Sequence, residues 1–136
     1  MPTRTSTGRF TYAQWEEQAA GPAGAPPRLA RASVVNSFSG GIEAADTACT
    51  YAIAYLTATS GTFTGLERVE GTLDGRRGGF VLEERGSFQE DGTTRCSFEV
   101  VPGSGTGELA GLRGNGGFVH RRGEGSVPYT FDYELD

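Results

Sequence analysis

Two stretches of the chain alternate in character at every residue. In FTGLERVEGTL, Phe63, Gly65, Glu67, Val69, Gly71 and Leu73 share one face and Thr64, Leu66, Arg68, Glu70 and Thr72 the other. In FVLEERGSF, Phe80, Leu82, Glu84, Gly86 and Phe88 lie opposite Val81, Glu83, Arg85 and Ser87. A period of two is that of a strand with one buried face, so the sets carrying the phenylalanines are expected to point inward. DGRRGG between them predicts a hairpin turn in which Leu73 pairs with Phe80. Inward glycines among large aromatics fit a sheet that bends and closes on itself.

The same punctuation of β-branched and aromatic runs by glycine and proline continues along the chain. It predicts eight strands, at 7–18, 28–39, 42–47, 49–58, 61–73, 78–90, 94–101 and 117–135, the last interrupted near 123–126 and readable as two. Residues 42–58 are also readable as one bent strand. GPAGAPPRL is a loop, because its prolines remove backbone donors and its glycines loosen the chain. The whole chain, 1–136, reads as a single all-β domain whose best closed form is a small barrel.

Composition narrows the function classes. Seventeen acidic against twelve basic residues give a net charge of -5, which lacks the basic footprint of a nucleic-acid binder. No run approaches the roughly 18 apolar residues of a membrane helix, and MPTRTSTGRF has no apolar leader core. A soluble, cytoplasmic protein is expected. Cys49 and Cys96 are too few and too far apart for a disulfide framework or a zinc site, so reduced, partly buried thiols are expected, with no metal and no cofactor.

GSGTGELAGLRGNGGF, residues 103–118, holds seven glycines in sixteen positions. Within it GTGELA satisfies the G-x-G-x-x-A form of a dinucleotide fingerprint. That fingerprint needs a βαβ unit and an acidic residue about 20 positions on, and the 26 residues after Ala110 read as strands. A phosphate-binding P-loop needs a lysine, and the chain has none. The stretch reads instead as a corner with one short helical turn near 107–112, where Leu109 and Leu112 plug one barrel end and Glu108 caps the turn.

RASVVNSFSGGIE, FTGLERVEGTL, GGFVLEERGSF, VVPGSGTGELAGLRGNGGF and YTFDYE together resemble an uncharacterised bacterial family of unknown function with an allene-oxide-cyclase-like barrel. The Gly-Thr-Gly corner more loosely resembles those of plant allene oxide cyclases and dirigent proteins. The resemblance implies a closed, antiparallel, eight-stranded barrel with an apolar interior, often oligomeric in relatives, and no assigned activity. Where relatives often carry a histidine in a Q-H-x-G string, this chain reads E-E-R-G, with Glu84 in place of the imidazole.

An eight-stranded barrel either fills its interior with side chains or holds one small ligand. The residues expected to line such a space are Tyr55, Phe63, Val69, Phe80, Leu82, Phe98, Phe131 and Tyr133. Glu67 and Glu84 are expected as diagonal neighbours on the inner face. Desolvation and mutual repulsion would raise their pKa values and make one a general acid, unless Arg31 or Arg68 neutralises it or the faces are reversed. Tyr51, on the same face as Tyr55, is the candidate phenolic donor. His120, beside two arginines, is expected at a solvated strand end, and Glu16 and Glu17 as surface charge. The interior is thus expected to take a small, largely apolar molecule, either as a cofactor-free cyclase or isomerase using Glu67, Glu84 and Tyr51, or as a carrier; a filled barrel acting through an oligomer surface is the third possibility.

Overall fold

A computed structural model describes residues 3–135. Eight strands, β1 (Arg4–Ala19), β2 (Arg28–Gly40), β3 (Ile42–Tyr55), β4 (Gly61–Leu73), β5 (Arg76–Phe88), β6 (Thr94–Val100), β7 (Arg113–His120) and β8 (Val127–Glu134), form a closed antiparallel barrel in sequence order. β8 returns to β1 from Arg4↔Tyr133 to Phe10↔Val127. A single 3-10 turn, Gly107–Leu109, is the only helical element among the described residues.

The strand count matches the expected eight, but the division differs. Residues 42–58 hold one bent strand, β3, and 117–135 hold the end of β7 and all of β8. The β4–β5 hairpin is also tighter than DGRRGG suggests. Its turn is Asp74-Gly75 alone, both with positive φ (47° and 87°), the geometry of a two-residue hairpin that follows strand twist. Leu73 therefore pairs with Arg76, and Phe80 with Val69. The four-residue change of register is even, so the inward set is preserved.

Two bulges set the phase of the lining. At Asp46 (φ 55°) the β3–β4 register slips between Glu43↔Thr72 and Ala48↔Arg68. Ile42 and Ala44 point inward before it, Thr47, Cys49, Tyr51 and Ile53 after it. At Gln14 (φ 57°) β1 slips against β2 between Ala13 and Glu16. An extra residue in one strand reverses which residues face in, and Tyr12 and Trp15 thereby come to the same side.

One barrel end is packed solid. Ile42, Val69, Leu73, Phe80, Leu82, Phe131 and Leu135 form a continuous core there, closed by Leu109 and Leu112, both buried as expected. The glycine-rich corner seats that plug by a pattern the sequence did not suggest. β6 pairs with β5 only as far as Leu82↔Val100, leaving β5 donors at 77, 79 and 81 without a strand partner. Ser104 Oγ accepts from Val81 N (3.0 Å), Thr106 Oγ1 from Gly79 N (3.0 Å) and Glu108 Oε1 from Arg77 N (3.0 Å). Alternate side chains thus continue the ladder that backbone would otherwise supply. Glu108 serves the neighbouring strand, and the turn's own N-cap, Thr106, makes no side-chain capping bond.

Candidate functional site

The opposite barrel end is hollow. A cavity of about 280 Å³ lies among Phe10, Trp15, Tyr51, Tyr55, Phe63, Phe88 and Phe118, with Val34, Ile53 and Val127 between them. Tyr12 and Trp15, each 49% exposed, stand at its rim. The volume lies just below the roughly 300–1,000 Å³ usual for ligand clefts. A larger groove, about 830 Å³, runs outside the barrel between Glu16 and Glu83; it is lined largely by exposed polar side chains and also by Tyr51 and Glu84.

The walls are built from edge-to-face ring pairs. Tyr51 meets Phe63 at 5.2 Å between centroids, Tyr55 meets Phe88 at 5.4 Å and Phe10 meets Phe118 at 5.0 Å. Such pairs suit the quadrupoles of the rings. Glycine makes room for two of them: Tyr51 lies across Gly65 and Phe63 across Gly86, each its cross-strand partner. A Cβ at Gly65 would come 2.4 Å from Tyr51 Cδ1, and one at Gly86 2.5 Å from Phe63 Cζ.

Behind the cavity wall lie Glu67 (2% exposed) and Glu84 (3% exposed). Glu67 stands opposite Leu82 and Glu84 opposite Gly65, so the two are diagonal neighbours on the inner face. Asn36 Nδ2 donates to Glu67 Oε2 at 2.8 Å, and the Thr47 hydroxyl lies 2.6 Å from the same oxygen. Tyr51 donates to Glu84 Oε1 at 2.9 Å, with Cys96 Sγ at 3.8 Å. Asn36 and Tyr51 line the cavity; the carboxyl groups stand one hydrogen bond behind it.

No arginine answers this pair. Arg31 is exposed, and Arg68 is turned outward toward Glu70 at 3.8 Å. Burial, then the hydrogen bond and charge of Glu67, push Glu84 up to about 9, which keeps it protonated near neutral pH. Burial, with Glu84 next in weight, pushes the Tyr51 hydroxyl well above the ordinary phenol range. The Cys49 thiol is pushed up by burial and by both carboxyl groups. Cys49, Glu67 and Glu84 each place one ligand atom within 4.8 Å of the others. A metal would need Cys49 as thiolate, and its surroundings favour the thiol.

Of the residues expected to bind a ligand, Tyr55 and Phe63 line the cavity, together with Tyr51. Val69, Phe80, Leu82, Phe98, Phe131 and Tyr133 do not; they belong to the main packed core. Phe131 stacks between Phe80 and Tyr133, and the Tyr133 hydroxyl is bonded to Asp74 Oδ2 at 2.6 Å. Inward alternation places a residue in the barrel but not at a given height along it. His120 is half-buried at the mouth, where its Nε2 lies 3.5 Å from the Tyr12 hydroxyl. Glu17 is fixed at the rim, accepting from Tyr55 (2.6 Å) and Trp15 Nε1 (3.1 Å).

Plugged at one end, hollow at the other and acid-backed between, the chain is a small closed antiparallel barrel with an internal cavity. It belongs to the DUF3224 family, proteins of unknown function, whose model matches residues 6–133. It is similar, at 29% identity and a TM-score of 0.81 over 99% of both chains, to a DUF3224 protein of unknown function from Shewanella oneidensis MR-1. No curated protein matches the chain. No helix among the described residues is long and apolar enough to cross a membrane.

Proposed function

We propose that the barrel binds a small, largely apolar molecule in the cavity at its hollow end. The observation that carries this reading is the contrast between the ends: one filled to the last leucine, the other leaving about 280 Å³ between aromatic walls. A fold that needed only a core would fill both, since an apolar void of that size forfeits packing energy. Trp15, the only tryptophan, lies at the rim and makes the test direct. Titration with small aromatic and terpenoid compounds, read by Trp15 fluorescence, is expected to saturate at one site and to be competed by a second such compound. Flat titrations, with native mass spectrometry finding only ligand-free protein after incubation in a lipid extract, would remove the proposal.

A second reading, a cofactor-free cyclase or isomerase, has one observation in its favour. Tyr51 bridges the cavity and a carboxyl group that keeps its proton near neutral pH, so a hydroxyl that turned from Glu84 to a substrate oxygen could take the Glu84 proton in exchange and act as a donor. Holding a flexible substrate in a reactive shape supplies much of the rate in such enzymes. Product formation lost in Tyr51→Phe while binding persists is the outcome expected of catalysis.

A further inference from the structure

We infer that the occupant of this cavity is a hydrophobic amine in its ammonium form, held by π faces and by hydrogen-bond acceptors that the carboxyl pair orients. The inference rests on the binding reading above and adds the ligand's charge and polarity. It begins from where the donors go. The Tyr51 proton is directed away from the cavity to Glu84, and an Asn36 N–H away to Glu67. A phenol has a single proton, so Tyr51 offers the cavity its oxygen lone pairs. The Asn36 amide is fixed by its carboxylate partner, because only its nitrogen can donate to Glu67. That leaves Oδ1, and the second amide N–H, without a protein partner in a residue lining the cavity. The polar floor therefore presents two acceptor oxygens against one spare amide N–H, and the ligand that matches it brings more donors than acceptors.

The field points the same way. Two carboxyl groups lie behind the floor, no arginine side chain faces them, and the chain has no lysine. The walls are ring faces and edges of Trp15, Tyr51, Tyr55 and Phe63, and aromatic faces attract a cation, more strongly where water is excluded. One of these rings already holds a cation. The Arg28 guanidinium lies 4.1 Å from the Tyr55 centroid at the rim, beside Glu17, which accepts from the Tyr55 hydroxyl. The barrel thus places a cation on its aromatic lining with a carboxylate nearby, and repeats that pairing of ring and carboxyl deeper in, at Tyr51 and Glu84.

The ammonium is the only component of the ligand that this arrangement selects for; the remainder is apolar and must fit about 280 Å³. Primary or secondary arylalkylamines meet both conditions. A ketone or an ester, which can only accept, finds the one spare Asn36 N–H, leaves both floor oxygens unmatched and gains nothing from the rings' negative faces.

The test compares three molecules of similar shape by Trp15 fluorescence at neutral pH: phenylbutylamine, benzylacetone and pentylbenzene. Phenylbutylamine is expected to bind more tightly than either by about tenfold, between what an exposed and a fully desolvated cation–π contact supply. Its advantage is expected to shrink in Glu67→Gln, while pentylbenzene affinity stays within about twofold. If benzylacetone or pentylbenzene binds as well as the amine to the unaltered protein, the inference fails and the binding reading survives. If none of the three binds and broader titrations are also flat, the binding reading itself fails. An amine preference that persists in full in Glu67→Gln would also overturn the inference, since the buried carboxyl group behind Asn36 would then not be what the ligand senses.

Discussion

The Tyr51 hydroxyl donates to Glu84 Oε1 across 2.9 Å, and the carboxyl group that receives it is one the fold keeps protonated. With Oε1 taken by Tyr51 and Cys96, the proton of Glu84 is left for its other oxygen, on the side shared with Glu67. The buried pair is satisfied without any cation, and no side-chain nitrogen or oxygen fully closed off from solvent among the described residues lacks a partner. This arrangement can be tested through stability, without knowledge of a ligand.

Stability is expected to fall as pH rises from about 5 to about 9. In the folded chain Glu84 titrates near 9, above its ordinary value. Between those two values the folded state holds more protons than the unfolded state, and stability declines with pH by on the order of 1 kcal/mol per unit. The contribution is complete below the ordinary carboxylate range and is lost as pH passes through about 9. The buried thiols add to the decline only above the ordinary thiol range, because they too are pushed up. Urea midpoints measured across this range should fall, and Glu84→Gln should flatten the slope. A midpoint that climbs with pH would show the pair to be ionised and compensated.

Tyr51→Phe separates the phenol from the ring. The edge-to-face contact with Phe63 at 5.2 Å is retained, so the loss is the hydrogen bond to a buried acceptor, about 1–3 kcal/mol. That bond also lowers the Glu84 pKa, against the larger upward effects of burial and Glu67. Removing it is expected to extend the stable range to higher pH even as stability at neutral pH drops. Both changes are readable in one set of pH-dependent urea curves.

Much of this barrel was legible because a period of two survives in β4 and β5, where 63–73 and 80–88 carry their inward sets without interruption. Glu67 and Glu84 were found for that reason, and an even error in the hairpin register left them on the correct face. The cavity's rim was not legible. Tyr12 and Trp15 are separated by an odd interval and share a side only because Gln14 takes a left-handed conformation, one open to few non-glycine residues. The reversal at Asp46 similarly divides β3, and the expected break between 47 and 49 was a trace of it. Height along the barrel has no sequence signature at all. Phe63 and Phe131 read alike, yet one borders the cavity and the other is wholly buried in the packed half.

The two ends should differ in their tolerance of truncation. Leu109 is 0% exposed and closes the plugged end, so Leu109→Ala leaves a cavity that packed neighbours cannot fill and is expected to cost about 2–5 kcal/mol. Phe88 borders a space that is already open. Phe88→Ala enlarges that space and is expected to cost less than the 3–5 kcal/mol usual for a fully enclosed phenylalanine. Equal or reversed costs in urea denaturation would place the packed core at the other end.

Gly65→Ala tests the seat of the cavity floor. Gly65 pairs with Tyr51 on β3 and with Glu84 on β5, so it stands between the phenol and the acid it bonds. An added Cβ would lie 2.4 Å from Tyr51 Cδ1 and 2.6 Å from the Thr50 carbonyl oxygen. The carbonyl belongs to the ladder and cannot retreat, so the ring must tilt, and the tilt carries the hydroxyl off Glu84. Overpacking of this kind costs about 1–3 kcal/mol, to which the broken hydrogen bond adds. Gly24→Ala, in a loop with nothing within 4 Å of the new methyl, is expected to change stability by no more than about 0.5 kcal/mol. Near-UV circular dichroism provides the second readout, because Tyr51 packs against Phe63 and lies 6.1 Å from Trp15. A Gly65→Ala protein as stable as the parent, with an unchanged aromatic spectrum, would mean that Tyr51 does not lie across the β4 backbone and that the floor is built otherwise.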